Sequence, residues 1–177
     1  MARVRLYLIP DHRNQAFRFV RPGGVRASIP VLRLRALVNL VPHVRPGGRD
    51  ALHAGLPPCI IDTGSPLSIV PEYIWRHFYP GAVTPLPFDP AMPRAERFVS
   101  VGNGNYPYEL GELTVRLWDQ ERRAMDVCIV AQLTRDGGAL TIPMTLGLRG
   151  GAIDGRILRS EPDPAAPFGQ AWWLEDP

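Results

Sequence analysis

Proline and glycine interrupt this chain so often that long regular helices are disfavoured. The 177 residues include 20 Pro and 17 Gly, spread along the whole length. Because proline lacks an amide hydrogen and glycine weakens helix interiors, such spacing favours short strands joined by turns. The length suits one domain with a hydrophobic core, and 45% of the residues are hydrophobic. The sequence therefore predicts a single all-β domain.

Apolar runs and turn signals predict seven or eight short strands and one or two short helices, in a closed or sandwich-like arrangement. A helix is predicted over Pro71–Tyr79, because proline suits a first helical position and Pro80-Gly81 would end it. Residues 80–93 hold five prolines and are predicted to be irregular. The predicted strands lie around Phe17–Val20, 29–41, Cys59–Ile61, Leu67–Val70, Phe98–Val101, Tyr106–Trp118, Met125–Leu133 and within Ile142–Leu148.

The buried strand Cys59–Ile61 leads directly into Asp62-Thr63-Gly64-Ser65. In such a turn Gly64 lets the backbone approach a carboxylate and offers its amide hydrogen, and Ser65 can donate to the outer carboxylate oxygen. Two neighbouring aspartates would share one proton, so that one acts as a base on water and the other as an acid toward a carbonyl. The motif occurs once in the chain. Asp62 is therefore a candidate catalytic residue without a partner in its own chain.

Two later segments give this short motif a context. Val101-Gly102-Asn103-Gly104-Asn105 is a strong hairpin signal about 40 residues downstream. A second apolar segment ends in Leu146-Gly147, and Arg149 follows shortly afterwards. An ordinary turn at Asp62 and a plain hairpin at Gly102–Asn105 are the alternative interpretations.

The order of these features resembles the retropepsin family, the single-domain aspartic proteases of retroviruses and their cellular and bacterial relatives. The resemblance covers about residues 29–159 and implies a closed β-barrel of the acid-protease type, with one or two short helices and a flap hairpin. It implies that Val101–Asn105 closes over a peptide. It also implies that Leu146, Gly147 and Arg149 support the catalytic turn, although Gly150-Gly151 replaces the start of the helix that usually follows.

The resemblance also implies a homodimer, because one Asp-Thr-Gly per chain supplies half of a catalytic pair. Asp62 would then meet its symmetry mate on a two-fold axis, Thr63 would brace the dimer, and Gly64 and Ser65 would orient the carboxylate. The expected activity is hydrolysis of peptide bonds in a peptide or protein, with no metal or organic cofactor. The alternative is a catalytically inactive dimerisation or peptide-binding module on the same fold.

The remaining composition narrows the function classes. The net charge of +3 comes from Arg spread along the chain, with no basic run interleaved with aromatics, which disfavours nucleic-acid binding. No apolar run reaches the roughly 20 residues of a membrane helix, and no signal peptide is expected, so the predicted location is cytoplasmic. Cys59 and Cys128 are expected to be buried thiols, and the cysteines and histidines lack zinc spacing.

Residues 1–28 and 160–177 flank the predicted domain. They are expected to form an N-terminal extension and an acidic tail that contains Pro and Trp. Within the tail, Trp172-Trp173 is expected to pack on the domain. A partner's groove and the substrate cleft are the alternatives for this pair.

Overall fold

The computed structural model describes residues 2–11, 16–41, 59–76, 81–101, 104–137 and 142–177. Within these ranges one short α-helix, α1, covers Glu72–Trp75, and 3-10 turns cover Arg94–Arg97 and Pro167–Gly169. The strands are β1 (Arg3–Pro10), β2 (Ala16–Val20), β3 (Arg26–Pro30), β4 (Leu32–Val41), β5 (Cys59–Ile61), β6 (Ser68–Val70), β7 (Val83–Leu86), β8 (Phe98–Val101), β9 (Gly104–Trp118), β10 (Ala124–Thr134), β11 (Thr145–Leu146), β12 (Ile157–Pro162) and β13 (Gln170–Glu175).

Six of these strands close into a barrel in the order β4, β5, β11, β6, β10, β9, with β9 returning to β4. The long antiparallel pair β9–β10 forms its wall, from Tyr108 opposite Thr134 to Trp118 opposite Ala124. Alternate side chains of both strands fill the interior, since successive residues of a strand point to opposite faces. The all-β closed barrel predicted from the sequence is confirmed.

The alternation along β10 corrects one prediction about the cysteines. Val127 and Ile129 point inward and are buried, so Cys128 between them faces outward and is exposed. Cys59, at the start of β5, is buried as expected, and its burial raises the pKa of the thiol to about 12. Both cysteines are free thiols.

Both chain ends belong to the same sheet as the barrel. β1 pairs with β13 from Arg3 opposite Glu175, and then with β4 from Tyr7 opposite Arg35. β12 pairs with the other edge of β13. The predicted boundaries at 28/29 and 159/160 therefore lie inside β3 and β12, and neither end is a separate extension. The reason is the backbone: a strand that pairs along both edges satisfies amide and carbonyl groups that an edge strand leaves open.

Packing of the C-terminal Trp pair on the domain is confirmed. Trp173 is buried, with the guanidinium carbons of Arg3 and Arg123 at 4.2 and 4.7 Å from its ring centroid. Trp172 is partly buried and packs against the core. Aromatic rings covered by Arg side chains fix both chain ends against the β9–β10 turn.

Two predictions about local structure need correction. Val83–Leu86 forms β7, although Pro85 and its neighbouring prolines predicted an irregular segment. Among the described strands β7 pairs only with β9, and such edge strands tolerate proline. The predicted helix begins one residue later than expected, at Glu72, and its helical bounds end at Trp75. Residues 77–80, where the predicted helix would end, lie outside the described ranges. None of the helices in the described ranges is long and apolar enough to cross a lipid bilayer.

A two-stranded hairpin stands apart from the main sheet. β2 and β3 pair with each other and with no other strand of the described residues. Residues 21–25 connect them, and Gly23 and Gly24 have positive φ (88° and 80°). We call residues 16–30 the arm. It confirms the strand predicted around Phe17–Val20, while the first residues of the predicted strand 29–41 belong to β3.

Candidate functional site

Asp62 follows β5 directly and lies at the end of the barrel with its side chain partly exposed. The Gly64 amide donates a hydrogen bond of 2.9 Å to Asp62 Oδ1, and the Ser65 amide donates one of 3.1 Å to the Asp62 carbonyl. A Cβ atom on Gly64 would lie only 3.2 Å from Asp62 Oδ1. The turn therefore holds one carboxylate oxygen on a backbone amide and leaves the group accessible from outside.

The strand β11 lies between the two strands that flank this turn. Leu146 pairs in parallel with Ile61 of β5, and Thr145 pairs in antiparallel with Ile69 of β6. The Asp62 amide donates to the Leu146 carbonyl at 3.0 Å. Because β11 is hydrogen-bonded to both β5 and β6, it holds these two strands together. The backbone of Asp62 is therefore fixed by residues more than 80 positions away in the sequence.

The supporting motif continues under the turn. The amides of Leu148 and Arg149 donate to the carbonyls of Ser65 and Pro66 at 2.8 and 2.9 Å. Together with the Asp62–Leu146 bond, these contacts tie the turn at its start and at its end. The Leu146-Gly147 segment thus lies directly beside the Asp62 turn.

Gly147 is required at its position by close packing. A Cβ atom there would lie 2.4 Å from the Leu67 carbonyl group and 2.8 Å from the Ser68 amide nitrogen. Both neighbours are backbone atoms that cannot rotate away. A side chain of any size at 147 would therefore push β6 and the turn away from β11.

Ser68 is a supporting residue that the sequence prediction did not include. Its buried hydroxyl accepts a hydrogen bond of 3.1 Å from the Gly147 amide. A donor at the end of a two-residue strand has no ladder partner, and Ser68 supplies one. The available signal was a serine inside the otherwise apolar run Leu67–Val70, a place where a polar side chain needs a partner.

The side chains of Thr63 and Ser65 were predicted to act in the dimer and on the carboxylate. Thr63 is exposed at the tip of the turn, where a second molecule can reach it. The Ser65 hydroxyl donates to the Leu67 carbonyl at 2.8 Å, because the chain bends after the turn, and so its proton is not directed to Asp62. In this structure the carboxylate is oriented by Gly64 and not by Ser65.

The segment after Leu146 is a series of bends instead of a helix. Gly150 and Gly151 adopt φ of 82° and 92°, and a Cβ on Gly151 would lie 2.3 Å from the Cys128 carbonyl oxygen. The two glycines let this segment lie flat on β10, where the Val130 amide donates to the Gly150 carbonyl at 2.8 Å. The side chain of Arg149 is exposed, and its backbone amide makes the contact with the turn.

The predicted flap is a hairpin in the structure. Val101 pairs with Gly104 and Ser100 pairs with Asn105, so the last two residues of the predicted turn belong to β9. Gly102 and Asn103 lie outside the described ranges. The first four residues of β9 pair with β8, whereas the pairing of β9 with β10 begins only at Tyr108. We call residues 98–101 and 104–107 the flap hairpin; their two strands form a ribbon that extends past the end of β10.

No group of three or more His, Cys, Asp and Glu side chains in the described ranges is placed to hold a metal ion. Comparison of the chain with protein-family models, with curated proteins and with solved structures found no match. A functional proposal therefore rests on the fold and on the geometry around Asp62. One carboxylate of this kind can accept a proton from water, but it needs a second acid to polarise a carbonyl.

Proposed function

We propose that the protein is an aspartic endopeptidase of the retropepsin type, active as a homodimer. Asp62 and the partner subunit's Asp62 would face each other across a two-fold axis and together bind the water that attacks the peptide bond. The proposal includes no metal and no organic cofactor. Its substrate is a peptide or an extended segment of a protein.

The observation that supports this proposal is the position of β11. A strand inserted between the two strands that flank Asp62-Thr63-Gly64-Ser65, with hydrogen bonds to both ends of the turn, is the support that the resemblance to retropepsins implies. A chance Asp-Thr-Gly turn has no need for such support. Closing the long loop between Asp62 and Leu146 costs conformational entropy, which the hydrogen bonds between the two segments must offset.

The mechanism follows from the chemistry of two neighbouring carboxyl groups. Two carboxylates in contact do not both ionise near neutral pH, so the pair shares one proton and titrates as a unit. The ionised Asp62 takes a proton from water while the protonated one donates to the scissile carbonyl oxygen, which gives a tetrahedral intermediate. Proton transfer to the leaving amine then completes the cleavage. The Gly64 amide holds one carboxylate oxygen in place throughout.

The flap hairpin supplies the second part of the proposed mechanism. Its ribbon extends past β10 and has Tyr106 and Val99 as a cross-strand pair. Closure of such a ribbon over a bound peptide would exclude bulk water and order the scissile bond. The substrate preference would depend on the side chains that this hairpin and its partner present.

One observation favours the inactive module as a second candidate. Dimers of the resembling family are often sealed by their terminal strands, but here β1 and β13 pair with each other within one chain. A dimer of this protein therefore needs another contact surface. If that surface does not bring the two Asp62 turns together, the domain dimerises or binds peptides without cleaving them.

The test compares the wild type with Asp62→Asn. We expect the wild type to cleave an unbiased peptide library between about pH 4 and 7, and Asp62→Asn to lose at least about 100-fold of that activity. Asp89→Asn is the matched control, because Asp89 is exposed and only caps the Ala91 amide. Cleavage that survives Asp62→Asn would exclude the mechanism. A wild type that dimerises without cleaving any peptide would favour the inactive module.

A further inference from the structure

The arm has one apolar and one basic face. Its register sets Phe17 opposite Ile29 and Phe19 opposite Ala27, and directly opposed residues of a hairpin share a face. Arg21 and Val25 extend this face toward the loop, since the Arg21 amide donates to the Val25 carbonyl at 2.8 Å and so continues the register. The other face bears the side chains of Ala16, Arg18, Val20, Arg26, Ser28 and Pro30.

The apolar face of the arm has no cover within the described residues. Phe17, Val25 and Ile29 are 62%, 61% and 57% exposed, and Phe19 is 38% exposed. Five of the nine most exposed large hydrophobic side chains of the described residues lie on the arm. An isolated two-stranded hairpin is at best marginally stable in water, so this ribbon needs something to pack against.

The arm leaves the barrel beside the Asp62 turn. β4 and β5 are antiparallel, with Arg35 opposite Ile60 and Ala36 opposite Cys59, so the start of β4 lies at the same end of the barrel as the Asp62 turn. The arm ends just before Leu32. Its base is fixed by the Asp11 amide, which donates to the Val31 carbonyl at 2.8 Å, and by the 2.8 Å ion pair between Arg33 and Asp11.

We propose that the arm packs against the arm of a second copy of this chain, apolar face to apolar face, about the two-fold axis that the proposed function requires. This inference rests on the proposed function for the position of the axis. Because the base of the arm lies at the same end of the barrel as the turn, a second copy that brings its own Asp62 to this turn also brings the base of its own arm to this end. Such a contact is isologous, with the same patch used on both copies.

Charge and composition agree with this occupant. Packing the two apolar faces together leaves Arg18 and Arg26 of each copy pointing away from the contact and into water, so the charges of these two residues stay apart from those of the other copy. Arg21 lies with its guanidinium carbon 6.0 Å from the Phe19 ring centroid, at the rim. Aromatic and Arg side chains are enriched at protein interfaces. The same contact also replaces the seal that the terminal strands do not provide between chains.

The experiment measures the dimer dissociation constant by analytical ultracentrifugation for the full chain. The test variant is Phe17→Ser with Ile29→Ser, and the matched control is Val20→Ser, which is 63% exposed but on the basic face. We expect the test variant to dimerise at least about 100-fold more weakly, because four apolar side chains leave a symmetric contact. The control should stay within about threefold. A second variant replaces residues 17–29 by Gly-Gly between the paired residues Ala16 and Pro30.

Dimerisation of the variants tests the arm contact, and cleavage assays on the same proteins test the proposed function. Dimers that form equally well in the test variant and in the wild type overturn the arm contact, even if the enzyme is active. A wild type that stays monomeric at all concentrations overturns it as well. Loss of binding to vesicles containing phosphatidylserine, with dimerisation unchanged, would assign the face to an anionic membrane instead. A dimer that depends on the arm but cleaves nothing would keep this inference and reject the protease.

Discussion

The Asp62 turn and the arm lie at the same end of the barrel, but they differ in how many contacts they make with the rest of the domain. The turn is exposed at its tip and yet fixed by hydrogen bonds to Leu146, Leu148 and Arg149. The arm is exposed along a whole apolar face and makes no strand pairing outside itself among the described residues. One region is held in place by backbone hydrogen bonds, and the other has an apolar face that no described residue covers.

A second copy of the chain would offer the turn a partner carboxylate and the arm an apolar surface to pack against. A rigid turn costs little reorganisation when a partner carboxylate arrives, which favours catalysis. An uncovered apolar ribbon gains free energy from association because water leaves its surface. The arm would thus supply the free energy of association, and the turn would supply the chemistry.

The largest expected effect comes from adding one methyl group beside the Asp62 turn, in comparison with adding one to the arm. Gly147→Ala should lower the free energy of unfolding by about 3 kcal/mol, because its Cβ would overlap backbone atoms of Leu67 and Ser68. Gly23→Ala, in the arm, meets no atom within 4 Å and should cost only about 1–2 kcal/mol through its positive φ of 88°. Urea unfolding followed by circular dichroism measures both. Equal losses would mean that the turn is no more tightly packed than the arm.

Acid should loosen the contact between β1 and the β9–β10 turn through Asp119. Burial opposes ionisation of this carboxyl group, yet the Arg123 side chain and the Arg5 and Arg123 amides outweigh it and lower its pKa. The resulting stability is present above the ordinary aspartate pKa of about 4 and is lost as the pH falls through the lowered folded value. Asp119→Asn should cost about 2 kcal/mol at pH 7 and less as the pH falls.

The measurement for Asp119 is thermal unfolding from pH 7 to pH 2, with Asp89→Asn as the exposed control. The gap between wild type and Asp119→Asn should narrow at the acid end, because the wild type then carries a neutral group too. Since Asp119 accepts from the amide of Arg5 in β1, hydrogen exchange should speed up in β1 before it does in the Asp62 turn. A constant gap over the whole range would contradict the lowered pKa.

A smaller effect is expected from Gly64→Ala, which acts on the carboxylate alone. The new Cβ would crowd Asp62 Oδ1 at 3.2 Å, a distance that a slight rotation of the carboxylate relieves. We expect kcat/KM to fall about tenfold, which corresponds to about 1.4 kcal/mol of transition-state stabilisation, with little change in unfolding or dimerisation. An unchanged kcat/KM would mean that the Gly64 amide does not set the carboxylate position.

The smallest expected effect is a change in the alkylation of the two cysteines, which can be compared between the arm variants and Gly147→Ala. In the native protein iodoacetamide should modify Cys128 only, because Cys59 is fully buried and burial raises its pKa to about 12. Cys59 should stay protected in the arm variants and become reactive in Gly147→Ala, since it lies in β5 beside β11. Mass spectrometry of the intact chain counts the adducts. Labelling of Cys59 in the arm variants would show that the arm supports the barrel itself.

The parts that sequence predicted well are those where local pattern and tertiary structure agree. Cys59–Ile61, the turn at Asp62 and the paired strands β9 and β10 have continuous or alternating apolar residues bounded by turn residues, so their existence follows from local physics. The prediction that the Leu146-Gly147 segment supports the Asp62 turn came only from the resemblance. Nothing in the local sequence indicates that this segment is hydrogen-bonded to residues about 80 positions away.

The missed elements depend on pairing between distant segments. Val4 and Leu6 alternate with Arg3 and Arg5, which is a strand signal, but its partner lies at the opposite end of the chain. Edge strand β7 contains Pro85 and so resembles a loop when its neighbour is unknown. Cys128 was misplaced because an apolar run was taken as wholly buried, while a barrel wall buries only every second residue.

The pairing of β1 with β13 predicts that the fold tolerates a change in the order of segments along the chain. The Asp176 amide donates to the Ala2 carbonyl at 2.9 Å, so a few added residues could join the two ends without disturbing the sheet. New ends could then be opened at Gly23–Gly24 in the loop of the arm, where a Cβ meets no neighbour. Such a circular permutant would keep the barrel and cut the arm in two, and so would place a peptide tag or a fluorophore at the surface proposed to join two copies.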